Sequence, residues 1–456
     1  MHEIFYLKND YIIDVRVCDG NSNYSGKLTL TPKECFIEIF TERTPSEEFK
    51  LSESLICSSL YPQKTLLLFG TELVSFSTTL LEMQNIDPIW GTSFKFKIQY
   101  VIISYDYIRN TKKINNFTLK TNFLKKWTMH TKTQDKILNG LFNRDSSRET
   151  TGSEFVQKIQ NYGHIGLYYS STQFSSIDEL NAGLKIFPQL RTMFTNSLPM
   201  DEIFREYLKL YQLLTLFNGG DFKVDTVELE IDEWRSKPSY MYFPSFQNDE
   251  LYSYTLLPLG KDVIYSDQRL ASLPLNFFNA YYNLTDEKKE LFKRYLNYKR
   301  VHSTEEKFLG YFRLLEKLTF KTKSYVDSDK LSKLLKRAKS YLTKILESNS
   351  KTMSDLNKRI LHTNNSKYNT EKCIADFYDT LPQEIQNSLK FKKDDLRKIC
   401  KLRNDITHAN DYVISDYELY DYTTFINALL FLAITNLLLE IPLETCIPIS
   451  RRLKQS

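Results

Sequence analysis

The hydrophobic period changes once along this chain, and that change limits the folds open to it. Over the first 110 residues the apolar residues come in short β-branched or aromatic runs: LTLTP (Leu28 to Pro32), CFIEIF (Cys35 to Phe40), TLLLF (Thr65 to Phe69) and SFKFKIQYVII (Ser93 to Ile103). Turn-prone stretches such as DGNSNYSG separate them, which is the pattern of antiparallel strands. After about Asp286 the apolar residues recur three and four apart over long stretches, the spacing of amphipathic helices. Two packing modes in one chain require more than one domain.

The expected fold is therefore multidomain α+β. A β-rich half, sandwich or barrel-like, covers residues 1–285, and an all-α bundle covers 286–456. The polar stretch NRDSSRETTGSE (Asn143 to Glu154) is expected to be a long loop or a disordered insertion, with a candidate sub-boundary near 143–154. Between Phe155 and Leu284 the pattern is mixed. His164 to Ser171 and Val224 to Ile231 read as strands, and Met200 to Phe217 reads as a helix stopped by Gly219-Gly220. In the bundle, Ser303-x-x-Glu306 and Ser415-x-x-Glu418 are capping boxes. Further helices are expected over Lys330 to Glu347, Glu371 to Leu381 and Lys392 to Ala409.

Gly and Pro number only 13 each, which excludes collagen-like and linker-like chains. Six cysteines without a CxxC pair, and no N-terminal signal sequence, point to free thiols and a cytoplasmic setting. The run from Phe425 to Ile441 is apolar enough to suggest a membrane span. It is short, however, and carries Asn427, Asn436 and Glu440, so a buried core helix is expected and no membrane partner.

Net charge is +5 and unevenly spread: from Lys317 to Arg403 there are 21 Lys and Arg against 10 Asp and Glu. Such an excess suits a polyanion, and equally a solvated helical surface. The chain has no GxxxxGK loop, no GxGxxG, no HExxH and no GxSxG, and its histidines and cysteines do not cluster at zinc spacing. No metal and no cofactor is expected. Glu305-x-Lys307 resembles part of a metal-dependent nuclease motif but opens a helix, where that motif needs strands.

What remains is RNDITH, Arg403 to His408. On a helical wheel Leu396, Ile399 and Ile406 form an apolar stripe with Arg403 near its centre. A guanidinium there needs a carboxylate, a phosphate or a partner surface. His408 lies about 140° away, on the side of Arg397 and Lys401. Two arrangements would bring Arg403 and His408 together: a helix ending near Thr407, or two copies facing each other across a dimer. The chemistry suited to such a cleft is RNA cleavage by the substrate's own 2′-hydroxyl. The alternative is structural: Arg403 pairs with a buried acid, of which Glu316 is one candidate, and His408 caps the helix end.

RN-x3-H near the end of a penultimate helix, preceded by TEEKFLGYFRLLEKL and followed by an apolar terminal helix, resembles a HEPN domain. A β-rich half with an early Gly26-Lys27-Leu28-Thr29-Leu30 run before it resembles the ApeA-like anti-phage defence proteins. The resemblance implies a metal-independent endoribonuclease acting in abortive infection, a homodimer with a composite site, and RNA such as tRNA as target. It assigns catalysis to Arg403 and His408, assisted by Asn404. Lys393, Arg397 and Lys401, four residues apart, are candidate RNA-backbone contacts. The β-rich half is expected to sense a phage-encoded protein. Two other readings stay open: a non-catalytic dimerisation module that holds nucleic acid or a partner, and an antitoxin-like partner.

Overall fold

A computed structural model describes residues 3–18, 23–42, 54–61, 63–84, 87–109, 111–142, 151–176, 181–231, 237–248, 254–264, 270–365 and 368–454. The chain forms two compact units, Met1–Asn283 and Leu284–Ser456.

Among the described residues, fourteen strands build the first unit: β1 (Tyr11–Cys18), β2 (Asn23–Leu30), β3 (Cys35–Glu42), β4 (Ser54–Ser59), β5 (Thr65–Phe69), β6 (Glu72–Gln84), β7 (Asp87–Ile98), β8 (Tyr100–Ser104), β9 (Lys113–Lys120), β10 (Thr151–Ile159), β11 (Gly163–Ser176), β12 (Asn181–Pro199), β13 (Thr226–Ile231) and β14 (Ser239–Tyr242). They form one hydrogen-bonded sheet in the order β10-β11-β12-β9-β13-β14-β8-β5-β4-β1-β2-β3-β7-β6. Every neighbouring pair runs antiparallel, as hairpin-rich sequences dictate. Alternation in β2 buries Tyr24, Gly26, Leu28 and Leu30 on one face. The central β5 and β8 are buried throughout, so TLLLF and YVIIS carry no polar face.

Helices α1 (Asn122–Thr128), α2 (Lys132–Phe142), α3 (Ile203–Asn218) and α4 (Asn276–Tyr282) accompany the sheet. Aromatic rings pack α3 to its surroundings. Phe204 stacks on Tyr100 at 5.0 Å, and Phe217 stacks on Trp127 of α1 at 6.0 Å. Gly219 ends α3 with φ 88°, a left-handed cap that a side chain would strain.

Three expectations need correction. Ser93 to Ile103 is two strands, broken at Gln99, whose side chain packs against the positive-φ Gly70. The helix expected from Met200 starts with a 3-10 turn, and α3 proper begins at Ile203. The polar stretch ending at Glu154 is not wholly a loop. Residues 143–150 lie outside the described residues, but Thr151 already opens β10. Glu154 is buried there and accepts hydrogen bonds from Thr131 (2.7 Å) and Tyr169 (3.0 Å). A polar sequence was hiding a buried, partnered carboxylate.

The second unit is helical: α5 (Asp286–Arg300), α6 (Thr304–Thr319), α7 (Ser328–Ile345), α8 (Ser350–Asn364), α9 (Thr370–Asp379), α10 (Gln383–Ser388), α11 (Leu396–Thr407) and α12 (Asp416–Ala433). The hydroxyls of Ser303 and Ser415 accept from the amides of Glu306 and Glu418. Phe308, Tyr311, Phe312 and Leu315 of α6 are buried, and α12 lies against α6. Phe425 to Ala433 is an unbroken buried run, continuing as a π-helical turn over Ile434–Leu438. The one helix long and apolar enough to cross a membrane among the described residues, Asp416–Leu438, is thus mostly buried within the protein. Each fully buried Leu or Phe contributes roughly 1.5–3 kcal/mol, so this helix is the centre of the core.

Candidate active site

The Arg-Asn…His segment occupies the end of α11. Its buried residues Leu396, Ile399, Cys400 and Leu402 hold one face against the bundle. Arg403 leaves that face toward α6, as the wheel predicts. Its Nη2 donates to Glu316 Oε2 at 2.7 Å, Nη1 donates to Asn404 Oδ1 at 3.0 Å, and its guanidinium carbon lies 5.4 Å from the Phe312 ring centroid. Thr370 Oγ1, at the start of α9, donates to the other Glu316 oxygen. One carboxylate is therefore fixed from two helices, and the guanidinium is fixed by it. Arg403 Nε is buried with no hydrogen-bond partner among the described residues. The side chains of Arg403 and Glu316 keep 21% and 29% of their surface exposed, so solvent reaches the pair.

α11 ends at Thr407, and His408 is its C-cap. The termination has a full set of bonds: His408 N–H to Asn404 O at 2.9 Å, Ala409 N–H to Ile406 O at 3.3 Å, and Asn410 N–H to Asp405 O at 2.9 Å. Ala409 takes φ 52°, the left-handed position that glycine usually fills. This cap leaves the His408 side chain exposed, and its ring makes no hydrogen bond among the described residues.

The structure thus joins Arg403 to Asn404 by a hydrogen bond, and His408 to Asn404 through the backbone alone. No hydrogen bond connects the imidazole with the guanidinium among the described residues. Glu316 receives the guanidinium, as one of the two sequence readings anticipates. Thr370 was missed, and nothing in its surroundings marks it: its role exists only because α9 starts beside α6.

The three candidate RNA contacts separate. Lys393 sits in a 3-10 turn before α11 and is ion-paired to Asp379. That hydrogen bond raises its pKa above the ordinary lysine value. Arg397 and Lys401 are exposed on α11 and form no ion pair among the described residues. Cys400, one turn before Arg403, has its thiol pKa pushed up to about 12 by burial, which makes it packing rather than a nucleophile. No group of three His, Cys, Asp or Glu is placed to hold a metal among the described residues.

A helical bundle with Arg-Asn-x3-His closing its penultimate long helix is the arrangement that the sequence resemblance to a HEPN domain implies. Residues 309–444 match the family described as Apea-like HEPN, and the chain carries this domain at its C-terminal end. No curated protein and no solved structure matches the chain. A domain of this family points to ribonuclease or nucleotide-binding chemistry in defence.

Proposed function

We propose that this protein is a metal-independent HEPN endoribonuclease of abortive-infection defence against phage. The observation that carries the reading is the contrast within one segment. Arg403 is clamped by Glu316 and Asn404, while five residues later an exposed imidazole has no hydrogen-bond or ion-pair partner among the described residues.

In this reading the outer N–H groups of Arg403 stabilise charge developing on a phosphodiester, and Asn404 keeps the guanidinium turned toward it. His408 takes the proton of the 2′-hydroxyl, or returns one to the leaving 5′-oxygen. The 2′-oxygen bonds to phosphorus as the P–O5′ bond breaks, giving a 2′,3′-cyclic phosphate and a 5′-hydroxyl. Two chains supply a composite site, because a second copy brings a second Arg403 and His408. Arg397 and Lys401 track the RNA backbone, with tRNA among the targets. The β-rich unit senses a phage-encoded protein, in the cytoplasm, and releases the activity.

A second reading is favoured by one observation: Arg403 already has its carboxylate, and its Nε is covered. The domain would then bind nucleic acid or a partner without cutting. Purified protein is incubated with total RNA in EDTA and the fragment ends are mapped, with His408→Ala as control. Cyclic phosphate ends that vanish in the variant support the nuclease. Equal cleavage by both proteins refutes it.

A further inference from the structure

α7 and α8 form a hairpin with two unlike surfaces. α7 packs on α8: on α7 Leu335 is buried and Leu331 and Leu342, on the same side, are half-buried, and on α8 Met353 is buried. At the base, Asn364 clamps Val326 through both its amide and its carbonyl. About 90° around α7 from that seam stand Leu334, Tyr341 and Ile345, each more than half exposed. For antiparallel helices the same side of α8 presents Leu356 and Ile360, which are also exposed. One apolar strip therefore runs along one side of the hairpin. Beside it on α7 lie Lys330, Lys333, Arg337 and Lys344, spanning about 21 Å along the helix, with no ion pair among the described residues.

The same domain carries the inverse surface. From Asp411 to the first turns of α12, Tyr412, Val413, Tyr417 and Tyr420 are exposed. Asp411 and Asp416 flank them, and Glu305 accepts a hydrogen bond from Tyr412. Lys390, beside the Tyr417 ring at 5.4 Å from its centroid, is neutralised by Asp421. An apolar strip edged with cations and an aromatic patch edged with carboxylates are complementary in both charge and polarity.

We propose that the α7–α8 strip of one protomer docks on the Asp411–Tyr420 patch of a second copy, reciprocally across a two-fold axis. This rests on the dimeric reading above and assigns its surfaces. A C2 dimer makes such a pairing twice. Aliphatic side chains do not suit a nucleic acid surface, which asks for stacking rings and polar groups. An anionic lipid surface would take the lysines but leave the acidic aromatic patch unexplained. A second copy accounts for both. The patch begins three residues after His408, so docking brings the partner's unpaired cations beside the imidazole, where a phosphodiester needs them.

The test uses full-length protein and reads mass by light scattering, starting from a 53.9 kDa chain. One variant reverses the strip (Lys333→Glu, Arg337→Glu, Lys344→Glu), and a second reverses the patch (Asp411→Lys, Asp416→Lys). Wild type should be a dimer, and each variant alone should dissociate with affinity weakened by roughly a hundredfold. An equimolar mixture should regain the dimer, because both of its interfaces again join opposite charges. Recovery in the mixture also shows that neither variant is merely unfolded. Dimeric variants, or a mixture that stays monomeric, overturn the surface assignment and leave the dimer itself standing. A monomeric wild type overturns both, and neither result bears on cleavage, which His408→Ala tests separately.

Discussion

Glu316→Gln isolates the charge of the carboxylate that holds Arg403 while preserving its shape. The glutamine can still turn its carbonyl to Arg403 and its amide to the Thr370 hydroxyl, so the packing between α6, α9 and α11 survives. A charge-assisted hydrogen bond is worth about 1.5–3 kcal/mol, and an exposed pair at most about 1 kcal/mol. With side chains 21% and 29% exposed, the Arg403–Glu316 pair falls between them, at about 1–2 kcal/mol. The substitution should cost about 1 kcal/mol, and a double-mutant cycle with Arg403→Met should give a coupling of about 1–2 kcal/mol. The chain offers an internal control. Its three tryptophans, Trp90, Trp127 and Trp234, all precede residue 284. Fluorescence therefore follows the β-rich unit, while ellipticity at 222 nm is dominated by the helical one. Only the helical transition should move, by about 2–4 °C. A coupling below about 0.3 kcal/mol, or a shift confined to the tryptophan signal, would refute the claim that this pair anchors α11.

Ala409→Gly should stabilise the helical unit by about 0.5–1 kcal/mol, since residue 409 holds φ 52°; a melting point below wild type contradicts the cap. Gly310→Ala places a Cβ 2.4 Å from the Tyr298 ring, so it should lower stability by about 1–3 kcal/mol in urea unfolding. In native protein at pH 8, a maleimide followed by mass spectrometry should label Cys18, which is exposed, and spare Cys400 and Cys446. Burial holds both spared thiols near pKa 12, so rapid labelling of either means the helical unit opens far more readily than its packing implies.

The elements that sequence patterning resolved are those whose partners do not matter. TLLLF is β5 from Thr65 to Phe69, as read, because a short apolar run bounded by turns has one reasonable conformation. The two Ser-x-x-Glu starts held because a cap is local. Gln99 and Glu154 defeated the same reasoning: a strand break where the Gln99 side chain lies against Gly70, and a buried acid bonded by Tyr169 and Thr131, are tertiary facts. α8 was passed over because SKTMSDLNKRILHTN is polar, and much of its apolar side does remain uncovered. In the candidate site, the misfit of Arg403 in an apolar stripe pointed to an acid, and Glu316 was nameable as a lone carboxylate within LLEKL. The engagement of Lys393 by Asp379 was not, since fourteen residues and a tertiary turn separate them.

The termination of α11 has a mechanical consequence. Arg403 is bolted to the scaffold through α6 and α9, whereas His408 rides on a backbone reversal and its exposed ring makes no hydrogen bond or ion pair among the described residues. A vice with one fixed jaw is tightened by steering the other. In the proposed nuclease, a contact made with the exposed His408 ring would set its distance from Arg403 without breaking the Arg403–Glu316 pair.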